Sequence, residues 1–298
     1  MEFSQPGKSG LRISRIGIGC MSLPVEEKQF GKIIRQAVDL GINYFDTADI
    51  YNDGINEILL GKALHDHRKD VIIASKVGNV RRKDGGLDWN ASKKHILSSI
   101  DKTLSRLGTD YLDIYQLHGG MITDPIDETI EAFEELRLRG KIRQYGLSSI
   151  RPNVIWKYIE RSSIVTNMMQ YSLLDRRPEE ECLQWLQNAN VGVLARGSIA
   201  QGLLVSKPAK PYLDHNARTV QDAAQAVRDL AKRDRKALHV ALQFVLSHPA
   251  VTSAIVGIRT LDQLSEVGEV FSVPGLDDSE LSFLRNAVPA LSYKEHRR

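Results

Sequence analysis

The chain has 298 residues, 42% of them hydrophobic and 26% charged, which excludes intrinsic disorder and suits either two ordinary domains or one α/β barrel. Its 40 Lys and Arg against 37 Asp and Glu leave a formal charge of only +3 with no long basic block, so nucleic acid is not an expected partner. The clusters Lys232-Arg233 and Arg235-Lys236 fall within helical pattern and read as solvated faces. No run of about eighteen apolar residues occurs, so no membrane span is expected. The opening Met1 to Gly7 has neither the basic start nor the apolar core of a signal peptide, and Cys20 and Cys182 are the only cysteines. A reducing, cytoplasmic setting without disulfides is the expectation.

The first segment, Phe3 to Ile13, carries the turn pairs Pro6-Gly7 and Ser9-Gly10 and reads as a small hairpin capping a barrel floor. Eight β-rich runs follow: Arg15 to Gly19, Asn43 to Phe45, Val71 to Ala74, Leu112 to Tyr115, Gln144 to Leu147, Val165 to Met169, Val191 to Leu194 and Thr252 to Val256. Most are nearly continuous apolar stretches, as in parallel strands covered on both faces. Between them, Phe30-Ile33-Ile34-Ala37, Ile96-Ile100-Leu104-Leu107 and Ile126-Ile130-Phe133-Leu136 repeat at helical spacing. Ser92 and Asp124-Pro125 mark helix starts, and Gly41, Gly108 and Gly140 mark helix ends. Eight successive βα units predict a closed (β/α)8 barrel, a single domain over residues 1–298. Ser206 to Thr219, with Pro208 and Pro211, reads as a long loop after the seventh strand. The rival doubly wound sheet rests on Gly17-Ile18-Gly19, but Ser22 stands at the third glycine position and Pro24 interrupts the helix that should follow.

In such a barrel the active site gathers at the C-terminal ends of the strands. The first polar residues there are Asp46 with Tyr51 on the following loop, Lys76, His118, Ser148-Ser149, Gln170 and Arg196. Each has an ordinary reading: Asp46 a turn cap, Tyr51 a packing residue, Lys76 an exposed charge, His118 a buried histidine. Together they describe something more specific. An ammonium beside a phenol favours proton loss from it, a carboxylate keeps that ammonium charged, and a neutral imidazole can orient a carbonyl. These parts suit proton donation to a carbonyl oxygen while hydride reaches its carbon. His65-Asp66-His67 has no third ligand nearby, and no metal site is expected.

The stretch Gly41-Ile42-Asn43-Tyr44-Phe45-Asp46-Thr47-Ala48 followed by Tyr51, Asn56-Glu57 and Gly61 resembles the second-strand signature of the aldo-keto reductases. Asp113 through His118 resembles the strand that ends in that family's histidine, and Tyr171-Ser172-Leu173-Leu174-Asp175-Arg176 matches a bacterial branch. The resemblance covers nearly the whole chain. It implies Tyr51 as general acid, Lys76 as the partner that lowers its pKa, Asp46 as the lysine's anchor and His118 as the group that orients the carbonyl. It also implies NADPH/NADP+ lying across the barrel mouth, with Gly19, Cys20 and Met21 toward the nicotinamide. Gly197, Ser198, Ile199, Gln201, Gly202 and Leu203 would cradle the pyrophosphate, and Gly257, Arg259 and Gln263 the 2′-phosphate. For Arg259 the match of a guanidinium to a phosphate, beside a helix starting at Leu261, adds a physical argument.

The chain departs from the family pattern at several positions. Ser148-Ser149 stands for Ser-Asn, Met168 for the usual glutamine, Val267 for an asparagine near adenine, and Arg196 for the aromatic that stacks on nicotinamide. A guanidinium can stack on a flat ring but repels oxidised nicotinamide, so Arg196 is expected to favour the reduced cofactor. A small carbonyl compound is the expected substrate, with Trp89, Met121 and parts of the Ser206 to Thr219 loop walling its pocket, and the chain is expected to act as a monomer. The C-terminal Tyr293 to Arg298 is expected to dangle rather than fold over the mouth. Two rivals stay open: a slow-turnover, cofactor-binding redox sensor on the same fold, and a barrel using Lys76 as a Schiff-base nucleophile.

Overall fold

The computed structural model describes residues 1–231 and 235–298, so Lys232-Arg233 lies outside the described residues. Eight parallel strands close into a barrel in the order β3 (Ile16–Gly19), β4 (Tyr44–Asp46), β5 (Ile72–Val77), β8 (Leu112–Leu117), β9 (Ile142–Ser148), β10 (Thr166–Gln170), β11 (Gly192–Arg196) and β12 (Val251–Gly257). The fold is the (β/α)8 barrel expected from the eight apolar runs. Below it, β1 (Phe3–Ser4) pairs antiparallel with β2 (Ile13–Ser14), the expected hairpin. Leu11 and Ile13 from that hairpin join Tyr44, Ile72, Ala74, Ile114, Met168, Leu194 and Ile255 in the barrel's interior cluster, so the hairpin plugs the floor. Gly17 leaves room there, since a Cβ would meet the Tyr44 ring at 2.6 Å.

The strand period of two carries this interior upward to the mouth. Above Tyr44 on the same face of β4 stands Asp46; above Ile72 and Ala74 on β5 stands Lys76; above Ile114 and Gln116 on β8 comes His118. The odd-numbered partners, such as Phe45, Ile73, Tyr115 and Leu117, face outward into the shell of helices.

That shell comprises α1 (Glu27–Asp39), α2 (Ile55–Leu64), α3 (Lys93–Leu107), α4 (Ile126–Leu138), α5 (Pro152–Arg161), α6 (Cys182–Asn188), α7 (Ala217–Leu230), α8 (Ala237–Leu246), α9 (Leu261–Gly268) and α10 (Asp278–Ala287). The start and stop residues behave as their chemistry requires. The Ser92 side chain accepts from His95 N, and Gly108 ends α3 in the left-handed region at φ 62°.

Four features differ from the sequence expectations. The loop after β11 stops at Asn216, because the Asn216 side chain accepts from Thr219 N and α7 already runs from Ala217. Arg235 is no solvated face: it is 8% exposed, donates to Leu230 O and Gly275 O, and pairs with Glu280, tying the end of α7 to the start of α10. A further hairpin, β6 (Asn79–Arg81) with β7 (Leu87–Trp89), leaves the mouth after β5. The tail does not dangle. Tyr293 is buried and its N donates to Glu180, Asn153 N donates to His296 O, and Arg298 lies over Trp156 at 3.8 Å.

Candidate active site

Lys76 is the centre of the mouth. It is buried, and its ammonium donates to Asp46 Oδ1 at 2.5 Å, Thr47 O at 2.7 Å and Tyr51 Oη at 3.3 Å. Burial alone would lower its pKa, but the Asp46 carboxylate and the Tyr51 oxygen outweigh burial and raise it. Burial pushes the Asp46 carboxyl up, against the opposing pull of Lys76, of Gln116 Nε2 at 3.2 Å and of Arg196. All three ammonium protons are thus engaged. Because the Tyr51 oxygen accepts from Lys76, its own hydrogen is free to point elsewhere.

Tyr51 reaches this position through a strained turn. Asn52, Asp53 and Gly54 follow it with φ of 48°, 54° and 86°, a left-handed run that only Asn, Asp and Gly adopt cheaply. Buried Asn56 clamps the turn by accepting from Thr47 and donating to Cys20 O. Glu57, also buried, accepts from Ser75 Oγ at 2.5 Å and Arg106 Nε at 2.6 Å behind the Lys76 strand. His118 sits edge-on to Tyr51, ring centroids 5.9 Å apart. Burial, helped by the Lys76 and Arg196 charges, lowers its pKa to about 3, so the imidazole is neutral near pH 7. Structure therefore brings Asp46, Tyr51, Lys76 and His118 together at one mouth.

A cleft of about 560 Å³ runs from Tyr51 and Asp46 across the barrel top to α9. Of the residues expected to hold cofactor, Gly19, Met21, Met168, Arg196, Gly197, Ile199, Gln201, Gly202, Gly257, Arg259 and Gln263 line it. Ser148, Ser149, Cys20, Ser198 and Leu203 do not. Cys20 is fully buried, its thiol pushed up by burial, and Ser149 Oγ accepts from Arg151 N. Val267, expected near adenine, is also among the lining residues.

Trp89 and Met121 lie outside this cleft. Trp89, on β7, packs against Gly78 and Gly119 beside His118 and donates to Asp124 at 2.8 Å. The loop expected to wall the pocket contributes Ser206, Lys207 and Tyr212 to the cleft, which also contains Ser22 and Glu266, two residues not expected there. Lys207 gave one usable signal, a cation four residues after the glycine-rich turn, and its side chain now lies 3.4 Å from where a Cβ on Gly202 would stand.

Comparison with known proteins identifies the family. Residues 15–288 match the aldo/keto reductase family model. The chain is 45% identical to an uncharacterized oxidoreductase, YqkF of Bacillus subtilis, with 98% of each chain covered. Among solved structures it is similar to the holo form of aldo-keto reductase AKR11C1 from Bacillus halodurans, with 44% identity, a TM-score of 0.93 and 100% of both chains covered. Against the apo form of that protein the TM-score is 0.86 at 43% identity, again over 100% of both chains. The chain belongs to the aldo/keto reductase family and is an NADP(H)-dependent oxidoreductase. Among the described residues, no helix is long and apolar enough to cross a membrane.

Proposed function

We propose that the protein reduces the carbonyl of a small aldehyde or ketone with NADPH, acting as a cytoplasmic, one-domain monomer over residues 1–298. The observation that carries this reading is the Lys76 ammonium, saturated by three acceptors, which leaves the Tyr51 hydroxyl hydrogen free at the edge of the cleft. A reduced nicotinamide bound in the cleft would supply the hydride that the carbonyl carbon accepts.

The cleft suits such a dinucleotide. Its volume falls in the range of cofactor sites, and two cations among its lining residues, Lys207 and Arg259, would be available to the phosphates. Gly19 and Gly257 keep its wall bare; a Cβ on Gly257 would meet Ser22 Oγ at 2.6 Å. Arg259 N is held by the Gln263 side chain at 2.9 Å, and the cap of α9 by Thr260 leaves backbone donors next to it. The preference for NADPH over NADH rests on Arg259, since the pyrophosphate beside Lys207 is common to both dinucleotides.

Tyr51 donates its proton to the carbonyl oxygen as negative charge develops there. Lys76 stabilises the phenolate left behind, and Asp46 keeps Lys76 charged and aimed. Neutral His118 donates to the same carbonyl oxygen and sets its angle. With all its protons committed to acceptors, Lys76 is poorly placed to attack a carbonyl as an amine, so the Schiff-base alternative loses ground.

The test is NADPH consumption with a panel of reactive aldehydes at micromolar enzyme, with an NADH arm and the Tyr51→Phe variant. Turnover that prefers NADPH and falls by about a hundredfold or more in Tyr51→Phe is expected. Tight cofactor binding without turnover on any aldehyde would instead favour the redox-sensor reading.

A further inference from the structure

Gln170 ends β10 and lies opposite Arg196, the last residue of β11, in the barrel ladder. Its amide is oriented from two sides. Nε2 donates to Asp175 Oδ2 at 2.8 Å and to the Tyr212 hydroxyl at 3.1 Å, which uses both of its hydrogens. The remaining atom, Oε1, accepts from Arg196 Nη1 at 3.2 Å inside the cleft. Asp175 is itself fully buried and held by both oxygens in the fork of Arg177, at 2.7 and 2.8 Å. The turn from Ser172 to Asp175 closes on itself through two backbone hydrogen bonds, so the carboxylate is fixed before Gln170 meets it. Gly197 permits the approach: a Cβ there would stand 3.2 Å from Gln170 Cγ, at a backbone φ of 70°.

We infer that Gln170 is a positioning residue that holds the Arg196 guanidinium against the nicotinamide end of the cleft, through the rigid series Arg177–Asp175–Gln170–Arg196. The inference rests on reading the cleft as the dinucleotide site. Arg196 is solvent-exposed and long; without a fixed acceptor its guanidinium would sample many rotamers and its charge would be felt only weakly at the ring. A fixed acceptor converts a mobile charge into a placed one. That placed charge discriminates between a neutral reduced nicotinamide and a cationic oxidised one. The Asp175 carboxylate reaches Arg196 only through a neutral amide, so it orients the guanidinium without sharing a proton or forming a direct ion pair with it.

The experiment is a binding titration of the unloaded protein with NADPH and with NADP+ separately, which needs no turnover. It compares wild type, Arg196→Ala, Gln170→Met and the double variant, with thermal melting to verify folding. Gln170→Met keeps the side-chain volume and removes both hydrogen-bonding functions. In wild type the ratio Kd(NADP+)/Kd(NADPH) should exceed that of Arg196→Ala by about three- to tenfold. Gln170→Met should lose most of that same ratio, and the double variant should lose no more than Arg196→Ala alone.

An unaltered ratio in Gln170→Met, or losses that add in the double variant, would overturn the positioning role while leaving the cofactor site intact. A ratio that Arg196→Ala does not change would overturn it too, since no placed charge would then exist. A folded wild-type protein that binds neither dinucleotide refutes the cofactor reading itself, and the inference with it; that result differs from the others because wild type alone decides it.

Discussion

Lys76 and Asp46 form a buried ion pair, and such a pair behaves asymmetrically under mutation. Removing one member leaves the other charge stranded in low dielectric, whereas removing both leaves only a packing defect. Lys76→Met should therefore lower stability by about 3–5 kcal/mol, because among the described residues Asp46 is left with Gln116 as its one remaining side-chain donor. The double variant Asp46→Asn, Lys76→Met should recover much of that loss in urea unfolding and none of the turnover. Equal stability of the single and double variants would mean that Asp46 does not depend on Lys76 for its charge. This pair was legible in the sequence because a strand's period of two places its last inward residue at the mouth, and Asp46, Lys76 and His118 each end such a series. Gln170 occupies an equivalent strand end, but its significance is set by Asp175, Tyr212 and Arg196, and no local pattern shows that three segments converge on one amide. Arg235 misled for the same reason: a charge in helical pattern looks solvated until its partner, 45 residues on, is in place.

Among the elements, the long β-runs and amphipathic helices stood out because each is an extended periodic signal. The hairpin β6–β7 did not. Its strands are three residues each and largely exposed, so they carry no alternation of apolar and polar residues; the turn residues Asp84-Gly85-Gly86 were its only mark. Yet this hairpin brings Trp89 against Gly78 and against Gly119, the residue that follows His118. Gly78, between β5 and β6, has φ 126°, and a Cβ there would lie 2.6 Å from the Trp89 ring. Gly78→Ala combines backbone strain with displacement of the indole, and should cost about 1–3 kcal/mol in urea unfolding. Turnover should fall about tenfold or more as the wall beside His118 shifts, with a change in tryptophan emission. Wild-type emission and turnover in this variant would show that Trp89 takes no part in shaping the carbonyl pocket.

At the scale of the whole molecule, the barrel is closed below by its N-terminal hairpin and braced at the side by its last six residues. Those six were expected to be loose, because nothing in Tyr293-Lys294-Glu295-His296-Arg297-Arg298 is periodic and four of the six, Lys294, Glu295, Arg297 and Arg298, carry charges that water solvates well. What secures them is distant: the Glu180 carboxylate, the backbone N of Asn153, the Trp156 ring and, from the loop after β11, Asp214 at 3.1 Å from Lys294. Most of these contacts are partly exposed and individually weak, whereas Tyr293 is 8% exposed and supplies most of the buried area. Deleting residues 293–298 should thus destabilise by about 2 kcal/mol, a fall in Tm of roughly 3 °C for a chain of this size. Tyr293→Ala alone should reproduce most of that fall, and Lys294→Ala almost none. Turnover at 25 °C should survive the deletion, since Asp46, Tyr51, Lys76 and His118 come from β4, its following turn, β5 and the end of β8, and none touches the tail. A truncated protein that melts normally but loses turnover would place the tail in the active site rather than against the barrel wall, and would redirect attention to Lys294 and Asp214 as the contact through which it acts.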